Sequence, residues 1–374
     1  MALTEFQIQG YRSLREIELR PQQLTVVTGS NGSGKSNLYR ALWFLAQICE
    51  GSFAQTICQE GGLLSAMWAG PRLDKKKPVR MSLGFRSGET TYSMSCGFPP
   101  LAVSPTRFCF DPEIKEECVW LGAKRRPSTT LLERSAGNTW IRDCDGQRVD
   151  YPLMLDANES VLSQLREPHR FPELLALREE VRGWRFYHSF RTDDGSPLRT
   201  PRPSVRTPVL SHDGCDLAAA IQTINEVGDA STLHAIIAAA FPGKTLCVLA
   251  NEEEAWTKSP RFTEWSVGLE AEGCIRPLLA RELSDGTLKF LCLAACLLSP
   301  RPASLIALNE PEASLHPDLL KPLAQLIVGA TRASQVWVST HSPVLTQHLQ
   351  SLSGVQPVRL QLVNGETMID DNTE

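Results

Sequence analysis

No apolar run in this chain approaches the ~20 residues that a membrane-spanning helix needs. The longest, Phe290 to Leu298, falls far short. Glu5 and Arg12 interrupt the apolar start that a secretory leader would require, so the expectation is a cytoplasmic protein with no membrane contact. The 11 cysteines contain no C-x-x-C pair and no ligand set at finger spacing, which excludes the common structural zinc sites. Cys292 and Cys296 lie four apart on an expected helix and read as packing. An odd, unpatterned set of thiols suits a reducing compartment. A basic excess is missing as well. The 38 Lys and Arg face 42 Asp and Glu, a formal net charge of −4, so no global field advertises nucleic acid. Heptads are absent, which excludes a long coiled-coil arm, and no period of 20–50 residues marks a repeat array.

What is present begins at Gly29. Residues Gly29-Ser30-Asn31-Gly32-Ser33-Gly34-Lys35-Ser36 fit G-x-x-x-x-G-K-[ST], the phosphate-binding loop of nucleotide hydrolases. Leu24-Thr25-Val26-Val27 before it reads as a buried strand, and Asn37 to Leu45 after it as a helix. Strand, glycine loop and helix are the order the chemistry needs. Backbone N–H groups close around phosphate oxygens at a helix N-terminus. Lys35 would reach the β- and γ-phosphates of ATP, and the Ser36 hydroxyl would ligate Mg²⁺.

A length of 374 residues with 42% hydrophobic content is ample for a large core. The chain reads as three parts. Residues 1–105 carry strands (Phe6 to Gln9; Arg80 to Arg86 and Thr90 to Ser95 as a hairpin) with the loop-and-helix unit. Residues 106–265 are dense in Pro and charge, with helices expected at Val161 to Leu165, Leu174 to Val181 and Asp216 to Asn225, and an extended, proline-rich stretch at 195–208. Residues 266–374 return to strand–helix alternation, with the apolar run Ser304 to Leu308 read as a buried parallel strand, then Leu319 to Ala330 as a helix and Gln335 to Ser339 as a strand. The nucleotide core is thus expected to be split, its terminal thirds folding together around an inserted helical lid.

Three downstream motifs narrow the class: Glu282-Leu283-Ser284-Asp285-Gly286-Thr287 before an apolar helix, Leu305-Ile306-Ala307-Leu308-Asn309-Glu310-Pro311-Glu312, and Ser339-Thr340-His341-Ser342-Pro343 after a strand. In that order they resemble the signature, Walker B and switch-histidine set of ABC-type ATPases. The opening Ile8-Gln9-Gly10-Tyr11-Arg12-Ser13-Leu14 resembles the N-terminal strand and turn of RecF and SMC-like heads. The stretch Asn309 to Pro317 resembles the predicted ATPases of the AAA-15/AAA-21 type, including the "overcoming lysogenization defect" nucleases. The resemblance implies an α/β P-loop NTPase built as an ABC/SMC-like ATPase head. It further implies that Glu310 polarises the attacking water and that His341 contacts the γ-phosphate. By the same resemblance, Arg12, Ser30, Asn31, Gly32, Ser33, Gly34, Lys35, Ser36 and Asn37 would bind nucleotide. Ser284 and Gly286 would donate to the nucleotide of a second copy, in a head-to-tail sandwich homodimer whose D-loop position is Ser314 and Leu315. Asp285, Thr287 and Asn309 depart from the family pattern. Asn309 stands where an Asp usually accepts from Mg²⁺-bound water. An oxygen without charge there implies weaker Mg²⁺ binding and slow hydrolysis. For the Q-loop glutamine, Gln55 and Gln59 are both open.

Two uses of such an ATPase remain open. One is the regulation of a separate effector, such as a nuclease or toxin of an anti-phage system; about thirty residues follow His341, so any nuclease is expected on another polypeptide. The alternative is a stand-alone DNA repair or maintenance ATPase of the RecF type. For the latter the candidate contacts are Lys75, Lys76, Lys77, Lys124, Arg125, Arg126, Arg185, Arg191, Arg199, Arg202 and Arg206, interleaved with Trp184, Phe186, Tyr187 and Phe190. A solvated lid with an aromatic core cluster accounts for the same residues, and the negative net charge favours it.

Overall fold

The computed structural model describes residues 2–71, 79–99, 108, 110–135, 138–151, 155–250 and 264–370. Internal contacts divide the chain into two units: residues 1–23, 27–184 and 358–374, and residues 24–26 and 185–357.

The first unit is built on an antiparallel sheet of eight strands. They are β1 (Leu3–Tyr11), β2 (Leu14–Leu19), β4 (Met81–Ser87), β5 (Thr90–Gly97), β6 (Glu113–Leu121), β7 (Thr130–Ser135), β8 (Asn138–Arg142) and β9 (Arg148–Asp150), in the order β2-β1-β4-β5-β6-β7-β8-β9. Alternation sets the faces: Phe6 and Ile8 of β1 are buried while Gln7 and Gln9 point to solvent. Strand β3 (Leu24–Gly29) carries the chain through the second unit into this one. Its last residues, Val27 to Gly29, pair in parallel with β17 (Val358–Val363), which turns through Asn364-Gly365 into β18 (Glu366–Ile369). Both turn residues hold positive φ, 51° and 82°, as a two-residue hairpin turn requires.

Helix α1 (Lys35–Glu50) follows the loop. It buries Leu38, Leu42, Leu45 and Ile48 along one stripe and stops at Gly51, which takes the left-handed conformation. Around it lie α2 (Phe53–Gln59), α4 (Val161–Gln164) and α5 (Pro172–Arg182), with the short α3 (Leu63–Ala66) packed on α2. The segment expected to be mainly helical therefore also contributes β6 to β9. A fully buried carboxylate, Glu117, ties β6 to α4. It accepts from Ser160 Oγ, from the Val161 amide at 2.9 Å and from Tyr92 Oη at 3.0 Å.

In the second unit β10 (Arg185–Tyr187), β15 (Leu305–Asn309) and β16 (Gln335–Ser339) run parallel, with Leu24–Val26 of β3 next beyond β16. Every residue of β15 and β16 is buried, as strands covered on both faces must be. The cover comes from α6 (Leu217–Val227), α7 (Ala230–Ala240), α8 (Asp285–Leu297), α9 (Leu320–Ala330) and α10 (Pro343–Ser353). Their apolar faces meet Ile306, Leu308, Val336 and Val338 in one core. Cys292 and Cys296 are buried in it, the packing role expected of them. A small antiparallel sheet of β11 (Arg202–Pro203), β12 (Lys244–Ala250), β13 (Glu264–Ala271) and β14 (Leu278–Leu279) completes the unit. Among the described residues, no helix is long and apolar enough to cross a membrane.

Candidate nucleotide site

The phosphate-loop candidates lie in the first unit and are made mainly of backbone. Ser33 N–H bonds Ser30 O at 3.1 Å, which curls the loop, and Gly34 caps α1 at φ 102° with no side chain to satisfy the first helical N–H groups. Those donors at the positive end of a helix are what binds a phosphate. Lys35 is buried, its Nζ donating to Gly29 O at 2.8 Å and Ser30 O at 2.9 Å, so the ammonium is held over the loop. Ser30, Asn31, Gly32 and Ser36 are exposed, and Ser33 is buried with no protein partner for its Oγ among the described residues.

The loop is braced from behind by residues far away in sequence. A side chain on Gly34 would collide with Thr367 Oγ1 of β18. Thr367 bonds Ser13 twice, N–H to O at 2.8 Å and hydroxyl to hydroxyl at 2.7 Å, and Ser13 Oγ accepts from Asn37 Nδ2 at 2.8 Å. Arg12, at φ 47°, forms an ion pair with Glu60 of the α2–α3 turn, which Arg40 of α1 shares. Its Nη1 also reaches Asn37 Oδ1 at 3.5 Å. Gln55 and Gln59 are both exposed on α2.

The Walker B and switch-histidine candidates lie in the second unit and are held through side chains. Asn309 ends β15, buried, and its Oδ1 accepts from no protein group among the described residues. Glu310 follows at φ 46°, a conformation that costs a non-glycine residue energy and persists only where its surroundings enforce it. The enforcement is visible. Glu310 N–H bonds Ser339 O at 2.8 Å, while Lys289 Nζ of α8 donates to Glu310 O at 3.1 Å and Ala313 O at 2.7 Å. Burial pushes the Lys289 ammonium below the ordinary lysine range, and the Glu312 and Glu310 carboxylates act against that shift.

Glu312 is the residue that the sequence reading left without a role. Its buried Oε1 accepts from Thr340 Oγ1 at 2.6 Å, His341 N at 3.1 Å and Ser342 N at 3.2 Å. This one oxygen fixes the segment that carries His341, whose Nδ1 lies 3.8 Å from Glu310 Oε1 and 3.7 Å from Glu312 Oε1.

The signature segment belongs to the same unit. Ser284 caps α8, its Oγ accepting from Thr287 N at 3.2 Å and lying 2.8 Å from Thr287 Oγ1. A Cβ on Gly286 would sit 2.7 Å from Ser314 O, and Ser314 itself has φ 64°. Glycine is therefore required where the signature passes the D-loop position. Of the four non-glycine residues with positive φ among those described, Arg12, Glu310 and Ser314 occupy motif positions.

Taken unit by unit, the residues suit a nucleotide and its metal: the first unit offers a main-chain cradle at a helix N-terminus with an exposed hydroxyl at Ser36, and the second a buried amide oxygen at Asn309 of the kind that accepts from metal-bound water.

The nucleic-acid candidates fare differently. Trp184, Phe186, Tyr187 and Phe190 are buried in the cores of their units and present no face for stacking bases. Arg125, Arg191 and Arg206 form ion pairs with Glu133, Asp193 and Glu226. Arg199, expected as a phosphate contact, is a buried guanidinium bonded to main-chain carbonyls. Lys75, Lys76 and Lys77 lie outside the described residues.

Comparison with known proteins bears on the fold and the family. The chain is similar in fold to the "SmcHead bound to the C-winged helix domain of ScpA", with a TM-score of 0.57 and 15% identity over 99% of this chain and 98% of that one. It is also similar to an Smc head domain with an extended coiled coil, bound to the C-terminal domain of ScpA, from Pyrococcus furiosus (TM-score 0.52, 13% identity, 99% and 96% covered). Over 172 residues it is 27% identical to the DNA replication and repair protein RecF of Anaeromyxobacter sp. (strain Fw109-5). That match covers 43% of this chain and 44% of the relative, less than half of its length. Residues 24–112 and 155–346 match the AAA_21 family, described as "AAA domain, putative AbiEii toxin, Type IV TA system". With more than half of its length inside that match, the chain belongs to the AAA_21 family, and its fold is that of an SMC head domain.

Proposed function

We propose that this protein binds ATP with Mg²⁺, hydrolyses it slowly, and uses the nucleotide to close head to tail on a second copy of itself, a closure that governs a separate effector. In this reading Ser30 to Asn37 cradle the phosphates, with Lys35 at the β- and γ-phosphates and Arg12 flanking the cradle. Ser36 and Asn309 would hold Mg²⁺, which supplies charge neutralisation for the phosphate oxygens when bound. Glu310 orients and polarises the water, and His341 contacts the γ-phosphate. Ser284 already accepts from Thr287 N, so its hydroxyl hydrogen is the donor it can offer to a partner's γ-phosphate, beside the Gly286 N–H.

The observation that carries the reading is the strained Glu310, pinned through its own backbone by Ser339 and Lys289 directly after a buried, unpartnered Asn309 oxygen. A surface glutamate has no need of such support. The neutral Asn309 is the reason to expect slow turnover, because it offers Mg²⁺-bound water an acceptor without a charge. Light scattering tests the core of the proposal. Glu310→Gln should bind ATP, turn over little and accumulate as a dimer; if it stays monomeric with ATP, the sandwich is wrong. Asn309→Asp should lower the Mg²⁺ needed for half-maximal turnover and raise the rate.

A second reading, a RecF-type ATPase acting on DNA, draws on the 27% identity to RecF. DNA affinity that rises with ATP and falls steeply with salt would favour it. The effector reading instead expects a protein to copurify with the tagged chain when ATP is present.

A further inference from the structure

The signature segment of this chain contains an acid where an incoming phosphate would least tolerate one. Asp285 is the first residue of α8, and its carboxylate is mostly exposed. A carboxylate there suits the helix, whose N-terminus carries partial positive charge. It also competes with any other anion for that charge, and like charges in one place repel. If Ser284 and Gly286 receive a γ-phosphate, Asp285 works against them.

The structure holds a counterweight. Arg199, from the turn at Pro197–Arg199, is 10% exposed at its side chain and bonds both to this region and to the chain just before its own turn. Its Nε donates to Thr192 O at 2.8 Å and Asp193 O at 3.2 Å. Its Nη1 donates to Leu283 O at 2.8 Å and to Ala280 O and Arg281 O at 3.3 Å each. Its Nη2 meets Asp285 Oδ1 at 2.6 Å. Five carbonyls, three of them from the segment leading into α8, fix where the guanidinium sits. They carry no full charge, so Asp285 is the one ionised partner among the groups bonded to it. A guanidinium buried this far requires such a partner, and the planar fork suits the bidentate bridging that a lysine could not reproduce.

We infer that Arg199 is a positioning residue for the signature. It cancels the Asp285 charge and holds that carboxylate to one side, and it anchors the Ala280–Leu283 approach, so that Ser284 Oγ and the Gly286 N–H can take a phosphate oxygen from a second copy's nucleotide. The inference rests on the sandwich reading of the previous subsection. It assigns the departure from a glycine at position 285 a compensating residue 86 positions earlier.

The experiment measures, by light scattering, the ATP concentration that half-dimerises Glu310→Gln and further substitutions made in that background. Binding of a fluorescent ATP analogue to the monomers is followed in parallel. Arg199→Gln should raise the ATP required by roughly tenfold, the worth of one charge-assisted contact, while monomer binding stays unchanged. Adding Asp285→Asn to Arg199→Gln should bring the requirement back to within about twofold of the background. A merely structural role for Arg199 predicts no such rescue, so an Arg199→Gln/Asp285→Asn protein as poor as Arg199→Gln overturns the assignment. Should Arg199→Gln fail to fold, Asp285→Asn alone decides. With the Arg199 charge released it should dimerise at severalfold lower ATP in low salt, with the gain shrinking as salt rises; no change overturns the assignment. A Glu310→Gln background that never dimerises with ATP overturns the sandwich reading and this assignment with it, a result distinct from failure of the Arg199 substitutions alone.

Discussion

The two halves of the candidate motif set, one in each unit, are made differently. The loop half is one contiguous stretch, Ser30 to Asn37, whose work falls to backbone N–H groups and one lysine held over them by the Gly29 and Ser30 carbonyls. The strand half gathers Lys289, Asn309, Glu310, Glu312, Thr340 and His341 from three separate segments and holds them through side chains. A main-chain cradle survives most changes of side chain and depends on conformation, hence on glycine. A side-chain network depends on each of its charged members, because removal of one leaves its partners buried and unsatisfied. The sharpest effects on binding should therefore come from the one ion in the loop half, and the sharpest effects on order from the carboxylate at the centre of the strand half.

Lys35→Ala should separate the halves most widely. Deleting the ammonium removes a charge-assisted contact to phosphate. Nucleotide affinity should fall on the order of 100-fold, while thermal stability moves little, since the two carbonyls it releases lie beside an exposed loop. Titration with a fluorescent ATP analogue reads the first quantity and calorimetry the second. An Ala variant that still binds ATP at wild-type affinity would remove the loop from the site altogether.

Glu312→Ala should behave in the opposite way. It takes the acceptor from Thr340 Oγ1, His341 N and Ser342 N at once. The expected cost is about 3 kcal/mol of stability, with kcat falling through the loosened His341 segment and ATP affinity nearly unchanged. Glu312→Gln keeps one acceptor oxygen and should lose much less. Equal losses from both substitutions would mean that charge near Lys289, rather than hydrogen bonding to the 340–342 segment, is what Glu312 supplies.

The same contrast explains what could be read from sequence. The loop, β3, β15, β16 and α9 were legible because each is specified locally, by glycine spacing or by a continuous apolar run. Strands β6 to β9 were not. Glu113-Ile114-Lys115-Glu116-Glu117 looks like solvent-facing charge, yet Glu117 is fully buried as the cap of α4, and a register shift at Val119 and Trp120 breaks the alternation. Glu312, Lys289 and Arg199 gave no local signal, since the partners that define their roles (Thr340, Glu310 and Asp285) lie 21 to 86 positions away. Arg199 sits in a proline-rich stretch that reads as exposed, and only the fold turns it inward. The hairpin of β17 and β18 did carry a signal, the Asn364-Gly365 turn between alternating residues.

That hairpin allows a finer test of how far the loop half is self-contained. Thr367→Val keeps the methyl group against Gly34 but removes the hydroxyl that meets Ser13, and Ser13 in turn holds Asn37. The expected loss is about 1 kcal/mol of stability, with ATP affinity reduced about threefold. Unchanged affinity would show that the backbone of the loop sets its own shape and that the brace behind it serves the fold alone.

The smallest effect separates a carboxylate that has donors on one oxygen from one whose carboxyl is shifted by burial. Glu312 has three donors on Oε1, although its buried Oε2 has none among the described residues. Glu159, between β9 and α4, has a buried Oε2 with no partner among the described residues. Burial raises its carboxyl from 4.5 to about 7, and Asp156 adds to the shift. A carboxyl whose folded value lies above its unfolded value binds its proton more tightly when folded. Its contribution is therefore fully present below about pH 4.5 and is lost as pH rises through about 7. Glu159→Gln carries no charge to lose. It should melt with the wild type near pH 4 and above it at pH 8, by about 1 kcal/mol once solvent screening of this half-exposed group is allowed for. The difference should open between pH 4.5 and 7 and stay flat beyond. Calorimetry at half-unit intervals would resolve that window. A constant offset at every pH would assign the gain to packing, and would leave the missing hydrogen-bond partner of Glu159 without consequence for stability.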